Sequence, residues 1–223
     1  MVVTEIYEGI EGEGVRIGVF QLFIRLFGCK VGCKTCDTKY TWGKATPENS
    51  FQITPNKLFL DYILPSNADW ISITGGDPLL QSREVAALID QCRQNINGKH
   101  KFINIEATGL NDCPLVFNKC DFISADIKTP NTGVSVEIDT IYKLYRAYQN
   151  KIQFKAVIAN DEDIQFIKQF RGIPVVITPC WEPGSTLCKE NLNNIQKLLK
   201  ECPEFRMIVQ QHKFLYGVDA KSV

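Results

Sequence analysis

An α/β fold of parallel strands alternating with helices is what this sequence predicts, on three observations. Short β-branched, apolar runs recur along the chain, helical patterns separate most of them, and the residues suited to chemistry fall just after the runs. The runs are VFQLFIRL (19–26), WISIT (70–74), FINIE (102–106), DFISAD (121–126), IQFKAVI (152–158), IPVVIT (173–178) and FRMIVQ (205–210). Between them, TPNKLFLDYIL offers Thr54 as N-cap and Pro55 at the first helical position. Further helical patterns start at Ser82, Glu137, Asp161 and Lys189. Near-continuous apolar strands fit a sheet covered by helices. Six or seven such units build either an open, doubly wound sheet or a partial barrel, and both put ligands at the C-terminal strand ends.

With 223 residues, 44% of them hydrophobic, the chain suffices for one substantial core, so residues 1–223 are expected to form a single domain. Its 25 basic and 25 acidic residues balance, which gives no field to attract nucleic acid or an anionic membrane. The N-terminus MVVTEIYEGIEGEG is acidic instead of basic and apolar, and no apolar run approaches the roughly 18 residues of a membrane span. A soluble, cytoplasmic protein with small-molecule partners is expected. Six of the nine cysteines (Cys92, Cys113, Cys120, Cys180, Cys188 and Cys202) are scattered at no framework spacing and read as reduced, mostly structural thiols.

The other three stand together in CKVGCKTCD, a C-x3-C-x2-C spacing directly after the first run. Structural zinc usually takes paired C-x2-C halves, and no second half is present. A redox pair needs only two thiols, and a disulfide framework does not suit a cytosolic chain of this length. A four-iron cluster held by three thiolates keeps one iron open to a substrate or cofactor, which accounts for the number three. TGGDP (74–78), EATG (106–109), DIKTP (126–130) and TPCWEPG (178–184) likewise follow strands, and QQHK (210–213) ends the last one. The long aperiodic stretch from Thr38 to Ser50 is a candidate lid.

C-x3-C-x2-C after the first core strand, with TGGDP, resembles the radical S-adenosylmethionine superfamily. The run IYEGIEGEGVRIGVFQLFIRLFGCKVGCKTCDTKYTW, followed in order by TGGDPLLQ, EATG, DIKTP and Q-x-H-K, is similar over nearly the whole chain to the 7-carboxy-7-deazaguanine synthases. The resemblance implies an α/β fold of the shortened, modified TIM-like (β/α) barrel kind, usually dimeric, with the site at the C-terminal strand ends. It implies a carbon–nitrogen lyase that turns 6-carboxy-5,6,7,8-tetrahydropterin into 7-carboxy-7-deazaguanine and ammonia, a step toward queuosine, the modified tRNA nucleoside, and other deazapurines. S-adenosylmethionine on a 4Fe-4S cluster would yield a 5′-deoxyadenosyl radical that takes the substrate's C6 hydrogen and later returns it. Mg2+ and an electron donor such as flavodoxin or ferredoxin are implied as well.

Carried over by motif, Cys29, Cys33 and Cys36 would hold the cluster and Thr38 the magnesium. Thr35, Cys36, Asp37, Gly76, Asp126, Ile127 and Lys128 would contact S-adenosylmethionine, and Ile10, Glu11, Gly12, Arg25 and Thr74 the pterin. Glu13, Glu106 and His212 are further candidates for hydrogen bonds to the substrate. Arg25 lies within an apolar run, where its charge needs either a partner, Glu13 or Glu106, or a cavity. Two positions depart from the family pattern: Asp77 stands for Glu, and Glu11 for Gln, which removes a donor. Two other readings share the cysteine motif, an activase for a glycyl-radical enzyme and a non-catalytic iron–sulfur protein; the E-G-E-G run, Arg25 and C-D-T speak for a small carboxylated substrate.

Overall fold

The computed structural model describes all residues except 95–99, 183–185, 218–219 and 221–223. Its main strands are β1 (Val2–Ile10), β2 (Phe20–Leu26), β3 (Phe51–Gln52), β4 (Trp70–Gly75), β5 (Phe102–Ala107), β6 (Phe122–Asp126), β7 (Ile152–Ile158) and β8 (Val175–Pro179). A small hairpin of β9 (Trp181–Glu182) and β10 (Thr186–Leu187) follows, and β11 (Arg206–Met207) comes last. From β2 through β4, β5, β6, β7 and β8 to β11, each strand adds in parallel beside its predecessor. A doubly wound sheet reverses its order at a switch point; the parallel run from β2 to β11 never does. Right-handed crossovers in one direction put the helices on one face, the arrangement of a partial barrel. The nine-stranded sheet stays open, ending at β11 and β3.

The strands alternate, which corrects the near-continuous apolar reading. Ile24, Ile73, Ile105, Ala125, Ala156 and Ile177 point outward and are buried in one core with helix residues such as Leu88, Ile141, Ile164 and Ile195. Their neighbours Arg25, Thr74, Glu106, Asp126 and Lys155 occupy the inner face. Side-chain direction alternates along a strand, so a polar residue at every second position lines one concave surface. The helices are α1 (Pro55–Leu58), α2 (Ser82–Cys92), α3 (Pro114–Phe117), α4 (Ile138–Tyr148), α5 (Asp161–Ile167), α6 (Lys189–Glu201) and α7 (Gln211–Tyr216).

Several expectations need correction. The segment Val2–Ile10 carries no clean alternation, yet it forms β1, antiparallel to β2. Residues 205–210 yield only the two-residue β11, and Gln211 to Lys213 open α7 instead of ending a strand. Thr54 does cap α1, its side chain accepting from Lys57 N–H at 3.2 Å, but the helix widens into a π turn over Phe59–Ile63. The candidate lid contains a 3-10 turn, Lys39–Thr41, and Asn95, Pro183 and Gly184 lie outside the described residues.

Phe154 on β7 is 1% exposed, whereas Phe214 on α7 is 76% exposed. Denaturant unfolding is expected to show Phe154→Ala losing about 3–5 kcal/mol and Phe214→Ala staying within about 0.5 kcal/mol.

Candidate active site

The cluster loop leaves β2 through Gly28, whose N–H donates to Thr41 O at 2.7 Å, so the chain returns to its starting point after the three cysteines. Within the loop, Cys36 N–H reaches Cys33 O at 3.3 Å and Val31 N–H points to Cys29 Sγ at 3.4 Å. Lys34 N–H ties it to Thr132 O at 2.9 Å, beyond β6. The turn after β4 packs against the loop's base. A Cβ on Gly75, which has φ +137°, would stand 2.1 Å from Leu26 O, and one on Gly76 would stand 2.2 Å from Gly28 O. Only glycine permits that approach.

Asp77 has a local structural role. Its carboxylate accepts from Leu79 N–H at 3.1 Å, capping the 3-10 turn Pro78–Gln81, while its backbone N–H donates to Gly28 O at 2.7 Å. The side chain works as a cap, and burial pushes its pKa up.

The loop after β1 forms the floor. It runs inside the curved sheet, with Val15 N–H donating to Gln153 Oε1 at 2.8 Å. Arg16 closes the far end, its guanidinium 4.1 Å from the centre of the Trp70 ring and 5.1 Å from that of Phe122. Glu13 reaches Lys155 Nζ at 2.9 Å and accepts from Gln210 Nε2 at 2.6 Å. Glu106 accepts from the same lysine at 2.8 Å, and Asp126 lies 4.0 Å from it. Gln211 N–H then donates to Gly12 O at 2.9 Å, and His212 packs so closely on Gly12 that a Cβ there would meet its Nδ1 at 2.2 Å. His212, a further candidate in the sequence, is therefore part of the site wall.

Arg25 is the second correction. Its partner is neither Glu13 nor Glu106 but Glu5, on the neighbouring strand, at 2.5 Å, with Tyr7 Oη at 3.2 Å. An irregularity in the ladder between Val3 and Glu5 brings Glu5 opposite Arg25.

One cavity of about 910 Å³ joins these parts. Cys29, Cys33, Cys36 and Thr38 line it, as do Thr35, Asp37, Gly76, Asp126, Ile127 and Lys128. So do Ile10, Glu11, Gly12, Arg25 and Thr74, together with Glu13, Glu106 and His212. Sequence reasoning missed Tyr7, Tyr40, Lys155, Gln210 and Cys180, which line it too. For Lys155 a signal was present: a lysine within an apolar strand run, in the same situation as Arg25.

The carboxylates of the floor are driven apart in their proton affinity. Burial and the charge of Glu106 push Glu11 up to about 7. Its Oε2 accepts from Gln21 Nε2 at 2.8 Å, and its Oε1 from Glu13 N–H at 3.1 Å. For Glu13, burial acts upward but is outweighed by Lys155 and Gln210, and its pKa falls to about 2. Burial lowers that of His212 against the pull of Glu13. Lys155 is held charged: burial opposes it, and Glu106, Glu13 and Asp126 prevail.

The donor set, three thiols on one loop, is of the kind that holds an iron–sulfur cluster. The three cysteines are unbridged and half-buried, and a backbone N–H already points at one sulfur, as around cluster thiolates. Thr108 Oγ1, in the EATG turn on the cavity wall, is buried without a hydrogen-bond partner, an open polar position for a bound group.

Comparison with known proteins agrees. The chain belongs to the family described as a 4Fe-4S single cluster domain, matched over residues 10–121. More particularly, it is 28% identical to the 7-carboxy-7-deazaguanine synthase of Thermoplasma acidophilum, over 97% of this chain and 98% of that protein. Its fold is similar to the crystal structure of QueE from Escherichia coli, with TM-score 0.67 and 20% identity over 95% of this chain and 94% of the other. A radical SAM methyltransferase from Sphaerobacter thermophilus shares it with TM-score 0.60 and 12% identity over 99% and 80%.

The opposed shifts give a pH signature. Glu11 binds a proton on folding between its ordinary 4.5 and about 7, so its contribution to stability falls as pH rises through that window. Glu13 contributes stability above its ordinary 4.5 that is lost as pH falls toward about 2. Glu11→Gln removes only the first effect. Melting temperatures measured from about pH 4.5 to about pH 7 are expected to rise for the variant relative to the unchanged chain; a flat difference contradicts the assignment.

Proposed function

We propose that this chain is a radical S-adenosylmethionine enzyme, a carbon–nitrogen lyase that contracts 6-carboxy-5,6,7,8-tetrahydropterin to 7-carboxy-7-deazaguanine with release of ammonia. The carrying observation is the single cavity that holds the C-x3-C-x2-C loop, a pinned arginine and a carboxylate floor. The near full-length likeness to a protein of that name supports it. Cys29, Cys33 and Cys36 would hold a 4Fe-4S cluster beside a bound S-adenosylmethionine. When bound, the two would supply hydrogen-atom abstraction chemistry at the substrate's ring.

The chain's own residues bind and orient. Arg25 is partly buried and ion-paired, suited to a bidentate grip on the substrate carboxylate. Glu11, Glu13 and Glu106 offer acceptors to the N–H groups on a pterin's pyrimidinone edge. With a pKa near neutrality, Glu11 can present either a hydroxyl donor or an acceptor, which restores what its replacement of Gln removed. The glycines at 75 and 76 let backbone approach S-adenosylmethionine, with Thr35, Asp37, Asp126, Ile127 and Lys128 around it and Thr74 toward the substrate.

Magnesium at Thr38 fits an ion that favours oxygen, with substrate and water completing its shell. The remaining elements of the reading are a homodimer, a flavodoxin- or ferredoxin-like electron donor, and a cytoplasmic place in the pathway to queuosine in tRNA. No described helix is long and apolar enough to cross a membrane. The glycyl-radical activase and the non-catalytic iron–sulfur protein are not favoured, because the cavity pairs the cluster loop with an anion-gripping arginine.

The test is anaerobic reconstitution with iron and sulfide, then incubation with S-adenosylmethionine, reductant and the carboxylated tetrahydropterin. A product of the 7-carboxy-7-deazaguanine mass is expected, together with loss of both cluster absorbance and product in Cys33→Ala. A cluster spectrum insensitive to S-adenosylmethionine, with no product, contradicts the reading.

A further inference from the structure

To hold a carboxylate, Arg25 needs a fixed orientation as well as a charge, because a bidentate grip requires two N–H groups in one plane facing the anion. Its Nε donates to Glu5 Oε1 at 2.5 Å and its Nη2 to Tyr7 Oη at 3.2 Å. Both bonds come from β1, so one edge of the guanidinium is anchored against that strand. Arg25 and Tyr7 line the cavity, and Glu5 stands behind them.

The same Glu5 oxygen accepts from Tyr40 Oη at 2.9 Å. Tyr40 belongs to the turn Lys39–Thr41, immediately after the last cluster cysteine and Thr38. A single carboxylate on β1 therefore links the anion-gripping arginine to the cluster loop. The ladder irregularity between Val3 and Glu5 is what puts that carboxylate opposite Arg25.

We propose that Glu5 is a positioning residue for substrate binding: its carboxylate fixes the plane of Arg25 against Tyr40, so a carboxylate-bearing substrate is held in one register with the cluster loop. This rests on the synthase reading above and deepens it. Two effects of removing the Glu5 charge oppose each other. A nearby negative charge is lost, which favours an anionic ligand, and Arg25 gains freedom that must be given up again on binding. Positioning requires the second effect to win.

The test is calorimetric titration of the anaerobically reconstituted holoenzyme with S-adenosylmethionine and no reductant. Two ligands are compared, 6-carboxytetrahydropterin and the tetrahydropterin lacking the carboxyl group. In Glu5→Gln the carboxylated ligand is expected to bind about tenfold more weakly, the worth of one charge-assisted hydrogen bond. The uncarboxylated ligand is expected to keep its affinity within about twofold, and Tyr40→Phe to shift the carboxylated ligand the same way by less. Unchanged or tighter binding of the carboxylated ligand overturns the inference, as does equal weakening of both ligands, which marks a merely structural role. An unchanged chain that shows no preference for the carboxylated pterin overturns the synthase reading itself, and the inference with it.

Discussion

The ammonium of Lys155 is the constraint on which the rest of the site depends. It is 7% exposed and sits 2.8 Å from Glu106 and 2.9 Å from Glu13, with Asp126 at 4.0 Å. A charge so far from water is tolerable only when paired and hydrogen-bonded, and the pairing must come from whatever segments can reach it. Glu106 and Asp126 belong to β5 and β6, but Glu13 is brought in by the loop after β1. Glu13 in turn holds Gln210, so the segment leading into α7 is drawn onto the same centre. Three distant parts of the chain thus converge on one lysine of β7.

That convergence separates two halves of the cavity. Toward the floor lie the carboxylates of Glu11, Glu13 and Glu106, and toward the rim the cysteine loop, tied to β2 at Gly28 and to Thr132 beyond β6. Between them stands Arg25, held by β1. Lys213 and Asp37 approach to 3.8 Å across the mouth, a partly exposed contact that adds little energy. A rigid floor and a lightly tied rim suit a site whose cofactor and substrate must both enter and leave.

Much of this was legible in the sequence. Strand runs and helical periods marked the parallel units, and the cysteine spacing with its neighbouring motifs marked residues that all line one cavity. What stayed hidden depended on tertiary partners. β1 reads poorly because its inward residues are Glu5 and Tyr7, chosen to serve Arg25, so the period of two is not one of apolar against polar. Gln210 gains its place, and the candidate His212 its position, only because α7 turns back onto Gly12. The polar inner face was visible as Ser72, Thr74, Asn104, Glu106, Ser124 and Asp126 at alternate positions, but their apolar neighbours dominated the pattern. Asp77 stood out in the sequence only as a departure from Glu; in the structure its side chain caps the 3-10 turn Pro78–Gln81.

Hydrogen exchange in Lys155→Met tests this organisation most directly. With the ammonium gone, Glu13 has lost its cation. Protection is expected to fall at the amides of Glu11, Val15 and Gln211, which bond to Val19, Gln153 and Gly12, while amides inside β5 and β6 keep theirs. Unchanged protection at those three positions would contradict it, because the floor would then be held by something other than the lysine.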